Sequence, residues 1–191
     1  MNIKEYWHIE VVGGKHKKFS WQRLIKAYFK SHKSQFLFEF RLAQFLYFKY
    51  GNVFFVKYLK KRINKRYPVD IPVECTIGKG LYIPHLVGVV ITSRAKIGEN
   101  FTVFQNVTVG QKDDQALIVI GDNVTIGANS CVIGSDMVIE DNVEIGAFSF
   151  LNKSLSKNTL YYMRYESNTL VKKDGEEYIS SRNTRSRNRN R

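Results

Sequence analysis

A six-residue repeat in the middle of the chain limits what this sequence can fold into more than any other feature. Aliphatic residues recur at every sixth position, with few interruptions. The repeated positions are Ile71, Ile77, Ile83, Val89, Ile97, Val103, Val109, Ile120, Ile126, Val132, Ile139 and Ile145. A period of six does not keep one face of an α-helix, which has about 3.6 residues per turn. The repeat instead indicates a solenoid, in which stacked turns bury a continuous aliphatic column.

The repeat slips in three places. Consecutive aliphatic residues are eight, eleven and seven positions apart across Val89–Ile97, Val109–Ile120 and Val132–Ile139. Extra residues in a solenoid bulge out as loops at one edge, so we expect an exposed loop at the polar stretch QKDDQAL in the second interval. Glycines often follow the repeated aliphatic residues, and glycine suits either a turn with positive φ or a close backbone contact.

The net positive charge of the chain comes from its two ends. Residues 1–69 contain 16 Lys and Arg against 3 Asp and Glu, a net charge of +13. Residues 70–180 carry 9 against 14, a net charge of −5, and residues 181–191 carry five arginines and no acid. A basic, aromatic-rich front end can meet nucleic acid, an anionic membrane surface or only solvent. No nucleic-acid-binding motif of a standard kind is present, so we predict no nucleic-acid partner and keep the membrane surface as a hypothesis.

Helical spacing is confined to the basic front end. The sequence predicts one helix that starts after Ser20, a second over about 35–50 that Ser34 caps and Gly51 ends, and a third over about 52–65 that Pro68 ends. The first of these carries apolar residues on one face, at Trp21, Leu24, Ile25, Tyr28 and Phe29. A basic α-helical N-terminal region over residues 1–69 is therefore expected.

Composition disfavours several classes of protein. The first 20 residues lack the apolar segment of a secretory signal. The most apolar window, 42–59, is interrupted by polar and charged residues, so no transmembrane span is predicted. The two cysteines, Cys75 and Cys131, make neither a disulfide scaffold nor a zinc site. A reducing, cytoplasmic setting is the simplest inference.

The segment VDIPVECTIGKGLYIPHLVGVVITSRAKIGENFTVFQNVTVG, which begins at Val69, resembles the core of serine O-acetyltransferases and their relatives. The resemblance covers about residues 69–153. It implies a left-handed parallel β-helix of hexapeptide repeats preceded by an α-helical N-terminal region. We therefore divide the chain into a helical region over 1–69, an acyltransferase β-helix over 70–155, and a C-terminal extension over 156–191 with a disordered basic tail.

The resemblance assigns roles to two residues. The histidine that acts as general base in this family falls on His85, and the aspartate that orients it falls on Asp70, fifteen residues earlier. An alcohol becomes a good nucleophile only as its proton is removed, and a neutral imidazole is the usual base for that step. A carboxylate on the far ring nitrogen fixes the tautomer and stabilises the imidazolium. Without the resemblance, a lone histidine in an apolar stretch is more often a core or surface residue.

The acceptor is inferred from what the sequence lacks. In the serine enzymes an aspartate that helps to bind the amino acid precedes the catalytic histidine, and Pro84 stands there in this chain. A second histidine of those enzymes aligns near Leu117, in a shorter loop that has no histidine. A sugar offers a hydroxyl but no ammonium group. The resemblance also implies a second branch of the family, which acetylates sugar hydroxyls of capsule, O-antigen or exopolysaccharide units. We therefore predict acetyl transfer to a sugar or polysaccharide unit, with serine as the alternative acceptor.

Acetyl-CoA is the co-substrate that the resemblance implies, and no metal is expected. Small residues let its pantetheine arm approach the backbone, and the matching positions are Gly110, Ala128 and Ala147. Lys153 is placed to meet a phosphate of CoA, and Asn106 is predicted to face the same cleft as His85 and to contact the acceptor. For each of these residues, coil packing or solvation is an equally good explanation. Family members are usually homotrimers, with active sites made by two subunits.

Three other readings compete with this one. A γ-class carbonic anhydrase needs three zinc-binding histidines on adjacent coils, and only His85 lies in the repeats. Nucleotidyl-sugar and acyl-carrier-protein acyltransferases usually have longer coil domains or an extra domain. A non-catalytic, membrane-associated scaffold would use the coil only as a support, and it would tolerate the loss of His85.

Overall fold

The computed structural model describes residues 1–166, and four helices precede the strands in it. The helices are α1 (Ile3–Trp7), α2 (Trp21–Lys30), α3 (His32–Tyr50) and α4 (Phe54–Arg66), with a π-helical turn (His8–Val12) and a 3-10 turn (Gly14–His16) between α1 and α2. Ser20 caps α2 as predicted, because its Oγ accepts a hydrogen bond from the backbone N–H of Arg23. Ser31, rather than Ser34, caps α3, so this helix begins three residues before the predicted start.

Thirteen short strands follow α4 within the described residues. They are β1 (Val69–Asp70), β2 (Thr76–Ile77), β3 (Val89–Ile91), β4 (Ala95–Ile97), β5 (Thr102–Val103), β6 (Thr108–Gln111), β7 (Ile118–Ile120), β8 (Thr125–Ile126), β9 (Cys131–Gly134), β10 (Met137–Ile139), β11 (Glu144–Ile145), β12 (Phe150–Leu151) and β13 (Leu160–Tyr161).

The strands form three parallel sheets, as a solenoid with three sides requires. The first sheet has the order β1-β3-β6-β9-β12, the second has β2-β4-β7-β10, and the third has β5-β8-β11-β13. The chain thus makes about five turns, and the predicted solenoid with a helical N-terminal region is confirmed. β13 adds to the third sheet, so strand pairing extends six residues past the expected domain boundary at 155. The predicted disorder of the basic tail concerns residues that lie outside the described part of the chain.

Aliphatic residues stack in register along each sheet and form the core. In the first sheet Ile91 pairs with Val109, Val109 pairs with Val132, and Val132 pairs with Leu151. This register corrects the position of the first slip. Ile91, and not Val89, occupies the repeated position, so the two extra residues lie between Ile83 and Ile91 rather than between Val89 and Ile97. The second slip forms the expected exposed loop, at residues 112–115.

Glycine and asparagine have different roles at the corners of the solenoid. Six asparagines have positive φ angles of 56–59°, a conformation that Phe148 shares, and the side chains of four of them form a hydrogen-bonded ladder: Asn100, Asn123, Asn142 and Asn158. Glycines that follow the repeated aliphatic residues serve close packing instead. A Cβ placed on Gly98 would lie 2.8 Å from the carbonyl carbon of Gly121 on the next turn. Asparagine suits the left-handed region because its short polar side chain can hydrogen-bond locally.

Candidate functional site

His85 lies on an insertion at one edge of the solenoid. We call this edge, formed by residues 83–88, 104–107, 127–130 and 146–149 between the third and first sheets, the His85 edge. Tyr82 pairs with Thr102, and the backbone N–H of Asn106 donates to the carbonyl of Val87. Two residues therefore separate Val103 from Asn106, whereas four separate Ile83 from Gly88. The extra pair makes a bulge at this turn, and the His85 side chain is exposed there.

Asp70 ends β1, one turn from the bulge. It pairs with Val90 in β3, and its exposed side chain lines a groove of about 510 Å³ between α4 and the first turn. Within residues 1–166 of this single chain, Asp70 and His85 form no ion pair with each other. The two residues are brought to the same end of the solenoid, and their contact stays a prediction. Catalytic hydrogen bonds often form only when substrate is bound. The lack of an ion pair between Asp70 and His85 in this chain therefore does not exclude either residue from the site.

Three of the predicted binding residues share the His85 edge. Asn106, Ala128 and Ala147 occupy it on successive turns, and the backbone N–H of Phe148 donates to the carbonyl of Ala128. Asn106 has a φ of 56°, and its Nδ2 donates to Oδ1 of Asn129 over 3.0 Å. The side chain of Asn106 therefore already stabilises the turn, and its second N–H and its Oδ1 are left to bond a substrate.

Gly110 and Lys153 lie elsewhere. Gly110 is in β6 of the first sheet, where it pairs with Ile133, so it adjoins the His85 edge without being part of it. Lys153 follows β12 in the last turn, and its ammonium lies 5.9 Å from the centre of the Tyr161 ring. The structure thus places Asn106, Ala128 and Ala147 together and sets Lys153 near the end of the solenoid.

The sequence analysis missed two features close to His85. The Oε1 atom of Gln105, next to Asn106 on the His85 edge, is buried and has no hydrogen-bond partner among the described residues. Lys33 of α3 holds its ammonium 4.6 Å from the centre of the exposed Tyr82 ring, three residues before His85. Repeat spacing could not indicate either one, because Lys33 comes from a helix and Gln105 follows the repeat without a distinctive motif.

The two cysteines do not provide a nucleophile. Cys75 is buried, its Sγ contacts the carbonyl of Ala95 at 3.4 Å, and burial raises its pKa to about 12. Burial also raises the pKa of the partly exposed Cys131.

Within residues 1–166 no cluster of three or more His, Cys, Asp or Glu is arranged to hold a metal ion. In the same residues no helix combines the length and apolar character needed to cross a bilayer.

Known proteins resemble part of this chain in sequence. A serine acetyltransferase of Staphylococcus epidermidis is 40% identical over 94 residues, which are 48% of this chain and 44% of the relative. The chloroplastic serine acetyltransferase 1 of Arabidopsis thaliana is 38% identical over 80 residues, which are 40% of this chain and 26% of the relative. The match therefore spans less than half the length of these relatives. No protein-family model matches the chain.

Solved structures agree with the sequence relatives. Serine acetyltransferase isoform 3 of Entamoeba histolytica, in complex with cysteine, superposes with a TM-score of 0.70 at 26% identity, over 90% of this chain and 60% of that one. The solenoid and the helices before it have the fold of that serine acetyltransferase. A serine acetyltransferase in complex with CoA superposes with a TM-score of 0.60, over 68% of this chain and 54% of that one; at 22% identity this likeness shows only the shared fold. The hexapeptide-repeat domain therefore carries His85 at an edge, on a fold that the serine acetyltransferases share.

Proposed function

We propose that this protein is an acetyl-CoA-dependent O-acetyltransferase in which His85 is the general base. The observation that carries the proposal is the exposed His85 on a two-residue bulge of the hexapeptide-repeat domain. A residue that merely packed a turn would need no bulge, whereas a base has to reach the hydroxyl that it deprotonates. The relatives in sequence and structure are named serine acetyltransferases, which supports the class of reaction.

The proposed reaction is a direct transfer. The neutral imidazole of His85 accepts the proton of the acceptor hydroxyl while the oxygen bonds to the thioester carbonyl carbon of acetyl-CoA. The carbon–sulfur bond then breaks, and the sulfur of CoA takes the proton from the His85 imidazolium. Asp70 orients His85 and stabilises its charged form. Burial of Cys75 agrees with a route that has no acyl-enzyme intermediate.

Serine is the acceptor that the relatives favour. This supports the alternative of the sequence analysis better than the predicted sugar acceptor, for which the comparisons offer no evidence. Pro84 remains a specific reason to test sugars, because it supplies no carboxylate beside His85 for an ammonium group. Lys33 of α3, whose ammonium lies over the Tyr82 ring, is assigned to the carboxylate of serine or of an acidic sugar.

The pantetheine arm of acetyl-CoA is assigned to the small residues of the His85 edge. Ala128 and Ala147 have small side chains that leave the surface of the His85 edge open, and Gly110 does the same on the adjoining sheet. Lys153 is assigned to a phosphate of CoA. We propose a trimer in which a second copy covers this side, because apolar side chains are exposed along it: Val87, Val90, Phe148 and Phe150. Such a reaction fits a cytoplasmic setting with free thiols.

The first test is release of free CoA thiol, with L-serine and a panel of sugars and oligosaccharides as acceptors. We expect His85→Ala to lower kcat by about 10²–10⁴-fold while the affinity for acetyl-CoA, measured by calorimetry, stays unchanged. His16→Ala is the matched control, since His16 is also exposed but lies in the helical region. Asp70→Asn should cost less than His85→Ala.

Each outcome of this test decides between the functions. Serine-dependent release that His85→Ala abolishes supports serine acetyltransfer, and sugar-dependent release supports the acceptor predicted from Pro84. Thiol release that persists in His85→Ala rules out His85 as the general base. If the protein does not bind acetyl-CoA and releases no thiol with any acceptor, the result supports a non-catalytic scaffold.

A further inference from the structure

Exposed aromatic side chains cluster where α3 ends and α4 begins. We call residues 48–58 the α3–α4 tip. Phe54, the first residue of α4, is 86% exposed. Four more aromatic residues are over half exposed and one valine nearly so: Phe48, Tyr50, Phe55, Tyr58 and Val53. The tip therefore presents six exposed apolar side chains within one short segment, and such a concentration of exposed apolar surface usually marks an interaction site.

The fold itself does not require this surface. α4 packs against the rest of the protein through Val56, Leu59 and Ile63, which are buried on its other face. Replacing Phe54 or Phe55 with a polar residue would remove little contact with the core. Packing alone therefore gives no reason for aromatic residues at these positions.

Lysines surround the aromatic residues of the tip. Lys49, Lys57 and Lys61 are exposed, and none of them takes part in an ion pair within residues 1–166. Residues 40–69 contain no Asp or Glu. The three acids of the helical region are already paired: Glu5 with Lys79, Glu10 with Arg41, and Glu39 with Arg62 and Arg66. Glu74 of the first turn is paired with Lys60 of α4 and leaves Lys49, Lys57 and Lys61 unpaired among the described residues, so the field at the tip is positive.

This combination selects one kind of partner. A second copy of the same tip would bring like charges together, so the charge disfavours self-association through it. Nucleic acid also attracts cations, but its recognition favours arginine. The arginines nearest the tip, Arg62 and Arg66, are engaged by Glu39. Aromatic side chains beside lysines are instead typical of segments that lie in the headgroup region of an anionic bilayer.

We infer that the α3–α4 tip binds the surface of an anionic lipid bilayer. The aromatic side chains enter the headgroup region, and Lys49, Lys57 and Lys61 contact lipid phosphates. The contact is peripheral, since no helix in the described residues is fit to cross a bilayer. This inference does not depend on the proposed activity, because the tip is separate from the His85 edge.

Flotation of the full chain with lipid vesicles tests the inference. The vesicles contain about 30% phosphatidylglycerol in phosphatidylcholine, at about 0.15 M salt, and pure phosphatidylcholine vesicles serve as the comparison. We expect the double variants Phe54→Ser/Phe55→Ser and Lys57→Glu/Lys61→Glu each to lower the bound fraction by about tenfold. Phe29→Ser and Lys96→Glu are matched controls on α2 and the second sheet, and they should bind like the unchanged chain.

The basic tail is present in every variant, so its attraction to anionic lipid cancels in the comparison. The inference is overturned if the chain does not float with anionic vesicles, or if it binds pure phosphatidylcholine equally well. It is also overturned if the tip variants bind like the controls, or if single-stranded DNA displaces the vesicles. Unchanged thermal unfolding of the tip variants confirms that a loss of binding is not a loss of fold.

Discussion

Phe148 occupies a backbone conformation that its residue type disfavours. Its φ is 57°, and its ring is 61% exposed on the His85 edge. On the two preceding turns the same position is held by Asn106 and Asn129, whose side chains are hydrogen-bonded to each other. A left-handed conformation costs a residue with a Cβ about 1–2 kcal/mol, and asparagine recovers part of this by local hydrogen bonding.

We therefore expect Phe148→Asn to stabilise the separate subunit by about 1 kcal/mol, measured by urea unfolding at a concentration where the proposed trimer is dissociated. The new amide would extend the pair of asparagines by one rung. The reverse change on the neighbouring turn, Asn129→Phe, should destabilise. Lower stability of Phe148→Asn would show that the exposed ring makes a contact worth more than the strain. Lower affinity for acetyl-CoA in a more stable Phe148→Asn would indicate that the ring is kept for binding.

The two thiols should react at different rates. Cys75 is buried and its pKa is raised to about 12, so almost no thiolate exists at pH 8. Cys131 is partly exposed on the outer face of the first sheet. Because Cys131 lies beside Phe150 on the side that a second copy covers in the proposed trimer, we expect iodoacetamide at about pH 8 to modify it in the folded, dissociated subunit and to modify Cys75 only after unfolding, as read by mass spectrometry. Equal labelling of both in the native state would mean that the first turn opens readily.

At the scale of elements, a carboxylate joins three helices. Glu39 of α3 is 4% exposed and accepts hydrogen bonds from Tyr28 of α2 and from Arg62 of α4. Burial alone would raise the pKa of Glu39, but the hydrogen bonds from Arg62 and Tyr28 outweigh it, and the pKa is lowered. The stabilisation is therefore present above the unfolded pKa of about 4.3 and is lost as the pH falls through the folded value.

Glu39→Gln should then destabilise the protein by about 1–3 kcal/mol at neutral pH. The difference from the unchanged chain should shrink as the pH falls below the unfolded pKa of about 4.3 and through the lower pKa of the folded carboxyl. Urea unfolding of both proteins at neutral and at acidic pH measures this. A difference that stays constant with pH would show that the shape of the side chain matters and its charge does not.

Element type was predictable from the sequence, and exact placement was less so. The repeat gave the solenoid because a period of six fits no other regular structure. The first slip was misplaced because Val89 and Ile91 are both aliphatic and two positions apart, so both point into the core, and only pairing with Val109 separates them. The apolar face of α2 was found correctly, yet only Leu24 is buried; Trp21, Ile25 and Phe29 remain exposed in the single chain.

The candidate site was predictable only where a motif carries it. His85 and Asp70 could be named from spacing and resemblance, but the bulge under His85 needed the strand register. Gln105 and the Lys33–Tyr82 contact depend on which residues the turns and helices bring together. Nothing in the local sequence fixes those distances.

At the scale of the molecule, one buried arginine connects the helices to the solenoid. Arg41 of α3 is fully buried, and its five N–H groups donate to Glu10, Gln44 and the backbone carbonyls of Ile77 and Gly78. Glu10 in turn accepts bonds from the backbone N–H groups of two residues in the first turn, Gly80 and Leu81. The pair therefore covers the open edge of the first turn, which has no neighbouring strand on that side.

Removing Arg41 should therefore unfold more than a local contact. We expect Arg41→Met to cost about 3–5 kcal/mol, because it leaves the buried Glu10 carboxylate without its counter-charge. In a simple ion pair the double variant Arg41→Met/Glu10→Leu would recover most of that loss. Here it should not, because four backbone groups of the first turn lose their partners as well. Denaturant unfolding of the two single variants and the double variant gives the coupling energy. Hydrogen exchange at Gly80 and Leu81 should accelerate in all three. The destabilised first turn leads directly into His85, so the rate of acetyl transfer should also decrease in these variants. A double variant as stable as the unchanged chain would show that the hydrogen bonds between the helices and the solenoid contribute little to stability.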